Sequence, residues 1–389
     1  MFRRTLQVLT EKASTLYPVV ALIGPRQSGK STLVQASFPS FSYVSLENPD
    51  LRRMAIEDSR GFLSRYPAPV IFDEIQRAPE LISYLQEIVD TPGFKGPYIV
   101  TGSQHLLLME KMSQSLAGRV RILELLPLSS EELGQAISET WEEAVFLGGY
   151  PRVHQNKSQA SAWLQDYFRT YVERDVRLLT RIQDIDVFER FVLLCAGRVG
   201  QLVNYESLAA DCGTSPPTLR AWLAILKTSF ICTTLSPHFQ NFNKRIIKTP
   251  KLYFFDTGLL CYLLRIEKPE QISQHPLRGA IFENWIIQER MKHFYNLGKP
   301  PPLYFWRDKK GHEIDLIEDR GVYLYPSEIK SSSTFHGDFV NSLEWFNKQQ
   351  DLSQTVALSS KGTCFFSGLE NFRFKDYQIV SWKQVNSTS

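Results

Sequence analysis

The chain lacks any apolar run approaching the ~20 residues that a membrane-crossing helix needs. It also lacks internal repeats and low-complexity tracts, which excludes solenoid and fibrous architectures. Cysteine is sparse. The five residues Cys195, Cys212, Cys232, Cys261 and Cys364 are scattered, odd in number and without C-x-x-C spacing. That pattern speaks against a disulfide framework or a zinc site and for free thiols in a reducing compartment. Neither sign of charge dominates: 44 Lys and Arg stand against 41 Asp and Glu, a net charge of +3, so local charge has to decide whether nucleic acid is a partner. The basic start MFRRTLQVLTEKAS is followed by no long apolar stretch and no small-residue cleavage site. A cytoplasmic protein without membrane contact is expected. What is present is ordinary for a globular chain, 43% apolar and 22% charged over 389 residues, enough for two or three domains with cores of their own.

One stretch organises the rest. GPRQSGKST comprises Gly24, Pro25, Arg26, Gln27, Ser28, Gly29, Lys30, Ser31 and Thr32, and it fits G-x-x-x-x-G-K-[ST]. The apolar run PVVALI enters it and the helix-compatible STLVQASF leaves it, which is the strand–loop–helix context of a phosphate-binding P-loop (Walker A). The glycines let successive N–H groups face one anion, and the helix adds its positive end. Lys30 then reaches the β- and γ-phosphates of ATP, and the Ser31 hydroxyl holds Mg²⁺.

A second stretch, APVIFDE, is an apolar strand ending in Asp73 and Glu74, some forty residues after the P-loop. In this Walker B-like position Asp73 holds Mg²⁺ through water and Glu74 orients or deprotonates the attacking water. Around these motifs strands alternate with helices. FSYVSL precedes a helical stretch from about Pro49 to Arg65, a helix covers Glu80 to Asp90, PYIVTGSQ is a strand, a helix covers His105 to Leu116, and RVRILEL is a strand. The alternation predicts a mostly parallel sheet with helices on both faces and a site at the C-terminal strand ends.

GPRQSGKST, VIFDEIQRAP, VTGSQ, SLAGR and LPLS, in this order, resemble the bacterial and archaeal AAA+ ATPases that carry an uncharacterised nuclease-like C-terminal domain. The resemblance covers nearly the full length. It implies that Ser103 or Gln104, after the fourth strand, senses the γ-phosphate. It also implies that Arg119, before the fifth strand, reaches the nucleotide of a neighbouring subunit in a homo-oligomer. The plain alternative for Arg119 is a salt bridge at the sheet end. An α/β fold is expected, with a P-loop AAA+ core over residues 1–128, a helical lid over 129–184, a winged helix over 185–268 and a restriction-endonuclease-like α/β domain over 269–389.

In the lid, Ser129 or Ser130 before acidic residues signals a helix start. The turn Gly149 to Pro151 matches the G-x-P turn that touches the base in related ATPases, with Pro151 as the contact. An ordinary interhelix turn explains the same residues. The run Ser158 to Arg181 is amphipathic, with an aromatic core face and with Arg169, Arg174, Arg177 and Arg181 on another side. Next, YESLAADCG and TSPPTLRAWLAILKTSFI read as helix, glycine turn, helix, and ICTTLSPHF and KLYFFD as two wing strands. Between Asp211 and Asp256 there is no acidic residue, while Arg220, Lys227, Lys244, Arg245, Lys248 and Lys251 all fall there. A one-signed window suggests DNA, and a packing connector is the alternative.

The C-terminal stretch reads as a helix over Gly279 to Glu289, three strands, a helix over Asp338 to Gln349 and a strand over Thr355 to Leu358. The second of the three strands ends near Asp315. Asp315, Glu328 and Lys330 give D–x₁₂–E–x–K, which resembles the PD-(D/E)xK nuclease superfamily, although no Pro directly precedes Asp315. Glu328 and Lys330 share a strand face. The expectation is that Asp315, Glu328 and Glu283 bind Mg²⁺ and that Lys330 positions or activates water. The leading function is an Mg²⁺-dependent ATPase coupling nucleotide state to DNA binding or processing. The rival is a nucleotide-gated scaffold whose nuclease-like domain does not cut.

Overall fold

The computed structural model describes residues 2–103, 112, 114–171, 184–238, 249–353, 357–358 and 361–387. Gln104, most of the expected helix from His105, the arginines Arg174, Arg177 and Arg181, and Lys244, Arg245 and Lys248 lie outside the described residues. The chain divides into two compact units. The first is Met1–Leu128 with Thr228–Phe230 and Phe294–Lys299, and the second is Ser129–Lys227, Ile231–His293 and Pro300–Ser389.

In the first unit, α1 (Leu6–Leu16) and β1 (Val19–Ile23) lead to α2 (Lys30–Ser37) and β2 (Ser42–Ser45). Then come α3 (Pro49–Glu57), α4 (Ser59–Arg65), β3 (Val70–Asp73), α5 (Leu81–Val89), β4 (Tyr98–Gly102) and β5 (Val120–Glu124). The sheet order is β2-β3-β4-β1-β5, with every pairing parallel. All five residues of β1 are buried, because a parallel sheet covered on both faces needs apolar side chains on both. Val20, Leu22, Ile71, Ile99 and Leu123 share one core, and Val19, Ala21, Val70, Phe72 and Val100 share the other. The single helix expected over Pro49–Arg65 is two helices. Asp58 leaves helical geometry, and its carboxylate accepts from the Gly61 N–H to start α4. Since β4 lies between β1 and β3, its polar end stands between the P-loop and Asp73.

The second unit opens with helices α6 (Ser130–Leu133), α7 (Trp141–Leu147), α8 (Pro151–Gln155) and α9 (Ala160–Tyr171). The Ser129 side chain and Glu132 close a capping box on α6, and Leu164, Tyr167, Phe168 and Tyr171 bury one face of α9. Three helices follow, α10 (Ile185–Ala196), α11 (Tyr205–Cys212) and α12 (Pro216–Thr228), then the antiparallel pair β6 (Cys232–Pro237) and β7 (Lys251–Phe254). Gly213 ends α11 in the left-handed region, as a glycine turn requires.

After α13 (Thr257–Leu263) and α14 (Arg278–Asn296) come β8 (Leu303–Arg307), β9 (Glu313–Asp319), β10 (Tyr323–Lys330) and α15 (Asn341–Ser353). The strands β11 (Ala357–Leu358), β12 (Thr363–Phe366), β13 (Phe372–Phe374) and β14 (Tyr377–Ser381) complete the chain. Two expectations change here. The strand carrying Asp315 runs on to Asp319, and the sheet continues past Leu358, with β12 parallel to β10 and β14 parallel to β12. β6 pairs with β8, so the two strands expected to form a wing extend one nine-stranded sheet.

Arg4 is buried in the first unit and ties the P-loop to the strand end. Its guanidinium donates to the Ser28 carbonyl and to the Leu126 carbonyl, each at 2.6 Å. Removing the donor leaves two buried carbonyls unpaired. Arg4→Ala is expected to cost about 1.5–3 kcal/mol, read as a lower thermal midpoint of the nucleotide-free protein. An unchanged midpoint contradicts the clamp.

Candidate functional site

The P-loop backbone is shaped for close approach. Gly24 has φ 153°, and a Cβ there would sit 2.2 Å from the Leu125 carbonyl oxygen, so no other residue fits. Gly29, in the left-handed region, opens α2, and Gln27 also takes a positive φ. The Lys30 ammonium is buried and donates to the carbonyls of Gly24 at 3.0 Å and Pro25 at 2.8 Å.

Asp73 is the hub of the polar cluster. Its Oδ1 accepts from Ser31 Oγ at 2.9 Å and from Thr101 Oγ1, and its Oδ2 accepts from Tyr43 OH at 2.7 Å. Burial and then the Asp73 carboxylate push the Tyr43 hydroxyl pKa well up, so the phenol stays a donor. Glu74 follows with φ 58°, a positive angle for a non-glycine residue that turns the chain as β3 ends. Its N–H donates to Thr101 Oγ1 at 3.3 Å. Its carboxylate accepts from the Gln76 amide, which also donates to Ser103 Oγ at 2.9 Å. Ser31, Asp73, Glu74 and Ser103 therefore form one connected set drawn from α2, β3 and the end of β4.

Four members of this neighbourhood were not singled out from sequence: Arg4, Tyr43, Gln76 and Thr101. Thr101 and Gln76 lie within the quoted stretches VTGSQ and VIFDEIQRAP, and Thr101 is a hydroxyl on β4 two residues before Ser103, which follows the strand. Arg119 stands elsewhere in the first unit. Its guanidinium forks onto both carboxylate oxygens of Asp90, with Nη2 to Oδ2 at 2.8 Å, and Nη1 reaches the Ala117 carbonyl at 3.1 Å.

In the second unit the Gly148–Pro151 turn is held internally. Gly149 N–H donates to Asp256 at 2.7 Å, and a Cβ on Gly148 would collide with the same carboxylate. Pro151 then begins α8.

Asp315, Glu328 and Lys330 come together as their spacing implies. Lys330 Nζ lies 2.5 Å from Glu328 Oε2 and 3.9 Å from Asp315 Oδ2, beside a cavity of about 350 Å³. Burial and then the Asp315 charge raise the Glu328 carboxyl pKa to about 8. Burial works against the Lys330 ammonium, but Asp315 and Glu328 outweigh it and push its pKa up. His312 lines the same cavity, stacked on Trp345 with centroids 3.9 Å apart and with Nδ1 3.0 Å from Asp308.

Glu283 departs from the expected metal set. Its Oε1 accepts from Lys251 Nζ at 3.1 Å and from Tyr253 OH at 2.5 Å, and it does not line the cavity. Among the described residues no three His, Cys, Asp or Glu side chains are arranged to hold a metal ion. The trio Glu283, Asp315 and Glu328 thus does not fit a shared Mg²⁺, because Glu283 already has an internal cation. Lys251 also leaves the basic window in which its sequence position put it: it is 3% exposed, far from a surface patch. Of the other described members, Arg220 lies over the Tyr205 ring and Lys227 donates to Thr234.

Residues 16–134 match the family described as AAA domain. Residues 138–270 and 278–385 match two families described as domains of unknown function, DUF8612 and DUF4143. Uncharacterized proteins of Mycobacterium tuberculosis and Mycobacterium bovis are each 33% identical over 339 residues, covering 85% of this chain and 74% of theirs. Among solved structures, the chain is similar to a Walker-type ATPase of Pyrococcus abyssi at 18% identity, covering 68% of this chain and 96% of that one with a TM-score of 0.45.

Thr101 generates the sharpest test of the hub. Thr101→Val removes a hydrogen bond to a carboxylate and an acceptor for Glu74 N–H, and should slow ATP turnover by about 10- to 100-fold while ATP binding persists. Thr101→Ser should restore most of the rate. Equal rates in Val and wild type contradict the arrangement.

Proposed function

This chain belongs to the family of the two mycobacterial proteins and carries an AAA-type P-loop ATPase domain, and on that premise we propose that it binds ATP with Mg²⁺ and hydrolyses it. The carrying observation is the connected set in which Ser31 from the P-loop helix meets Asp73 at 2.9 Å while Glu74 projects from the next position. In this reading the backbone N–H groups from Gly24 to Thr32 cradle the phosphates, and Lys30 exchanges its carbonyl partners for phosphate oxygens. The Ser31 hydroxyl and the Asp73 carboxylate would hold the metal, which would neutralise charge on the phosphates. Glu74 accepts the proton of the attacking water, and Thr101, through the Glu74 N–H, and Gln76, through its carboxylate, fix where that carboxylate stands. Ser103, joined to Glu74 through Gln76, reports the γ-phosphate.

Nucleotide state is in turn coupled to a partner through the second unit. The leading partner is DNA, supported by the acid-free window between Asp211 and Asp256 and by the helix–turn–helix order of α11 and α12. A homo-oligomer with Arg119 acting in trans requires that arginine to exchange Asp90 for phosphate. The rival scaffold reading has one specific observation in its favour, the neutralised Glu283.

The test is ligand-linked stability. At 100 times the Kd, MgATP should stabilise the wild-type first unit by about 2.7 kcal/mol. Lys30→Ala loses charge-assisted contacts to phosphate and should bind roughly 100-fold more weakly, so that the stabilisation at the same ATP concentration falls to about 0.4 kcal/mol. An undiminished shift in Lys30→Ala contradicts the assignment.

A further inference from the structure

We propose that Lys251 is the resident cation of the acidic site in the second unit, holding Glu283 and Glu313 so that no divalent ion is shared by Glu283, Asp315 and Glu328. This rests on reading D–x₁₂–E–x–K as a nuclease-like site. Lys251 sits on β7, and its ammonium pairs with Glu283 Oε1 at 3.1 Å and with Glu313 Oε1. Tyr253, two residues along and on the same face, donates to the same Glu283 oxygen. The other oxygen of Glu313 takes Arg307 at 3.1 Å. The ammonium also lies 5.5 Å from the centroid of the Phe305 ring, which adds a further contact for the charge. Burial disfavours its charge, yet Glu283, Asp315 and Glu313 outweigh that and keep it protonated.

Four carboxylates, Glu283, Glu313, Asp315 and Glu328, stand with three cations, Lys251, Lys330 and Arg307, an excess of one negative charge when all are ionised. A divalent ion would leave the cluster positive and place a metal among buried ammonium groups. Glu328 Oε1 is buried and accepts no hydrogen bond among the described residues, while Oε2 takes the Lys330 ammonium at 2.5 Å. Without the Lys251 amine, the excess becomes two negative charges, which a divalent cation balances. In the wild-type chain Glu283 therefore serves as the buried anion of Lys251 and not as a third carboxylate beside Asp315 and Glu328.

Mn²⁺ binding to the full-length, nucleotide-free protein, followed by electron paramagnetic resonance, tests this. Wild type should show no Asp315-dependent site tighter than about 1 mM. Lys251→Met should gain one Mn²⁺ site at least about tenfold tighter, and Lys251→Met with Asp315→Asn should lose it. Glu283→Gln should leave wild-type Mn²⁺ behaviour unchanged. A tight wild-type site lost in both Glu283→Gln and Asp315→Asn overturns the proposal while keeping the nuclease-like reading. An absence of any Asp315-dependent site in every variant overturns both. Should Lys251→Met not fold, Lys251→Gln takes its place, with the same gain of an Asp315-dependent site expected and the same absence overturning the proposal.

Discussion

Everything in the nucleotide site depends on how Asp73 is satisfied. A carboxylate buried to 5% exposure at a strand end is costly unless its oxygens are paired. Here three hydroxyls from three elements supply the donors: Ser31 from α2, Tyr43 from β2 and Thr101 from β4. Because two of those hydroxyls belong to neighbouring strands, the sheet order fixes the carboxylate as firmly as the hydrogen bonds do. The same Thr101 oxygen accepts the Glu74 N–H, so the residue assigned to the metal and the residue assigned to water share one positioning group. Catalysis by phosphoryl transfer is mostly positioning and electrostatics, and a preorganised cluster of this kind is what such chemistry needs.

Neutralisation takes different forms in the two units. Around Asp73 the donors are neutral hydroxyls, which leave the negative charge available to a cation. Around Glu283 the donor is a buried ammonium, which consumes it. Two acidic sites that look alike as letters in the sequence thus differ in what they can bind, and the difference lies in the partner group.

The P-loop, the Asp73–Glu74 strand and the alternating strand–helix order were legible because each is local. They are set by short spacings, apolar runs and glycine placement, and the five-stranded parallel sheet follows from them. The pairing of Lys330 with Asp315 and Glu328 was equally accessible, since i and i+2 on a strand share a face. What was not legible depends on partners distant in sequence. Arg4 clamps a loop twenty-odd residues away and a strand end beyond a hundred. Tyr43 looked like one residue of a short strand. Lys251 read as part of a basic stripe, although its neighbours Leu252, Tyr253 and Phe254 are a buried run, and a lysine opening such a run needs an internal anion. The break at Asp58 was local but hidden, because a capping aspartate inside a helical pattern is indistinguishable from an exposed one until its N–H partner is known. The strands after Leu358 leave little trace in the sequence, because three to five residues carry too little periodicity to declare themselves.

The central claim is that Glu74 acts on water while Lys30, Ser31 and Asp73 hold the nucleotide. Glu74→Gln keeps the shape and hydrogen-bonding reach of the side chain and removes its basicity. Single-turnover measurement of γ-phosphate release, beside MgATP affinity in the same protein, separates the two roles. Affinity within about threefold of wild type and release slowed by about 10²-fold or more are expected if Glu74 acts on water. Release at the wild-type rate from Glu74→Gln protein would contradict it.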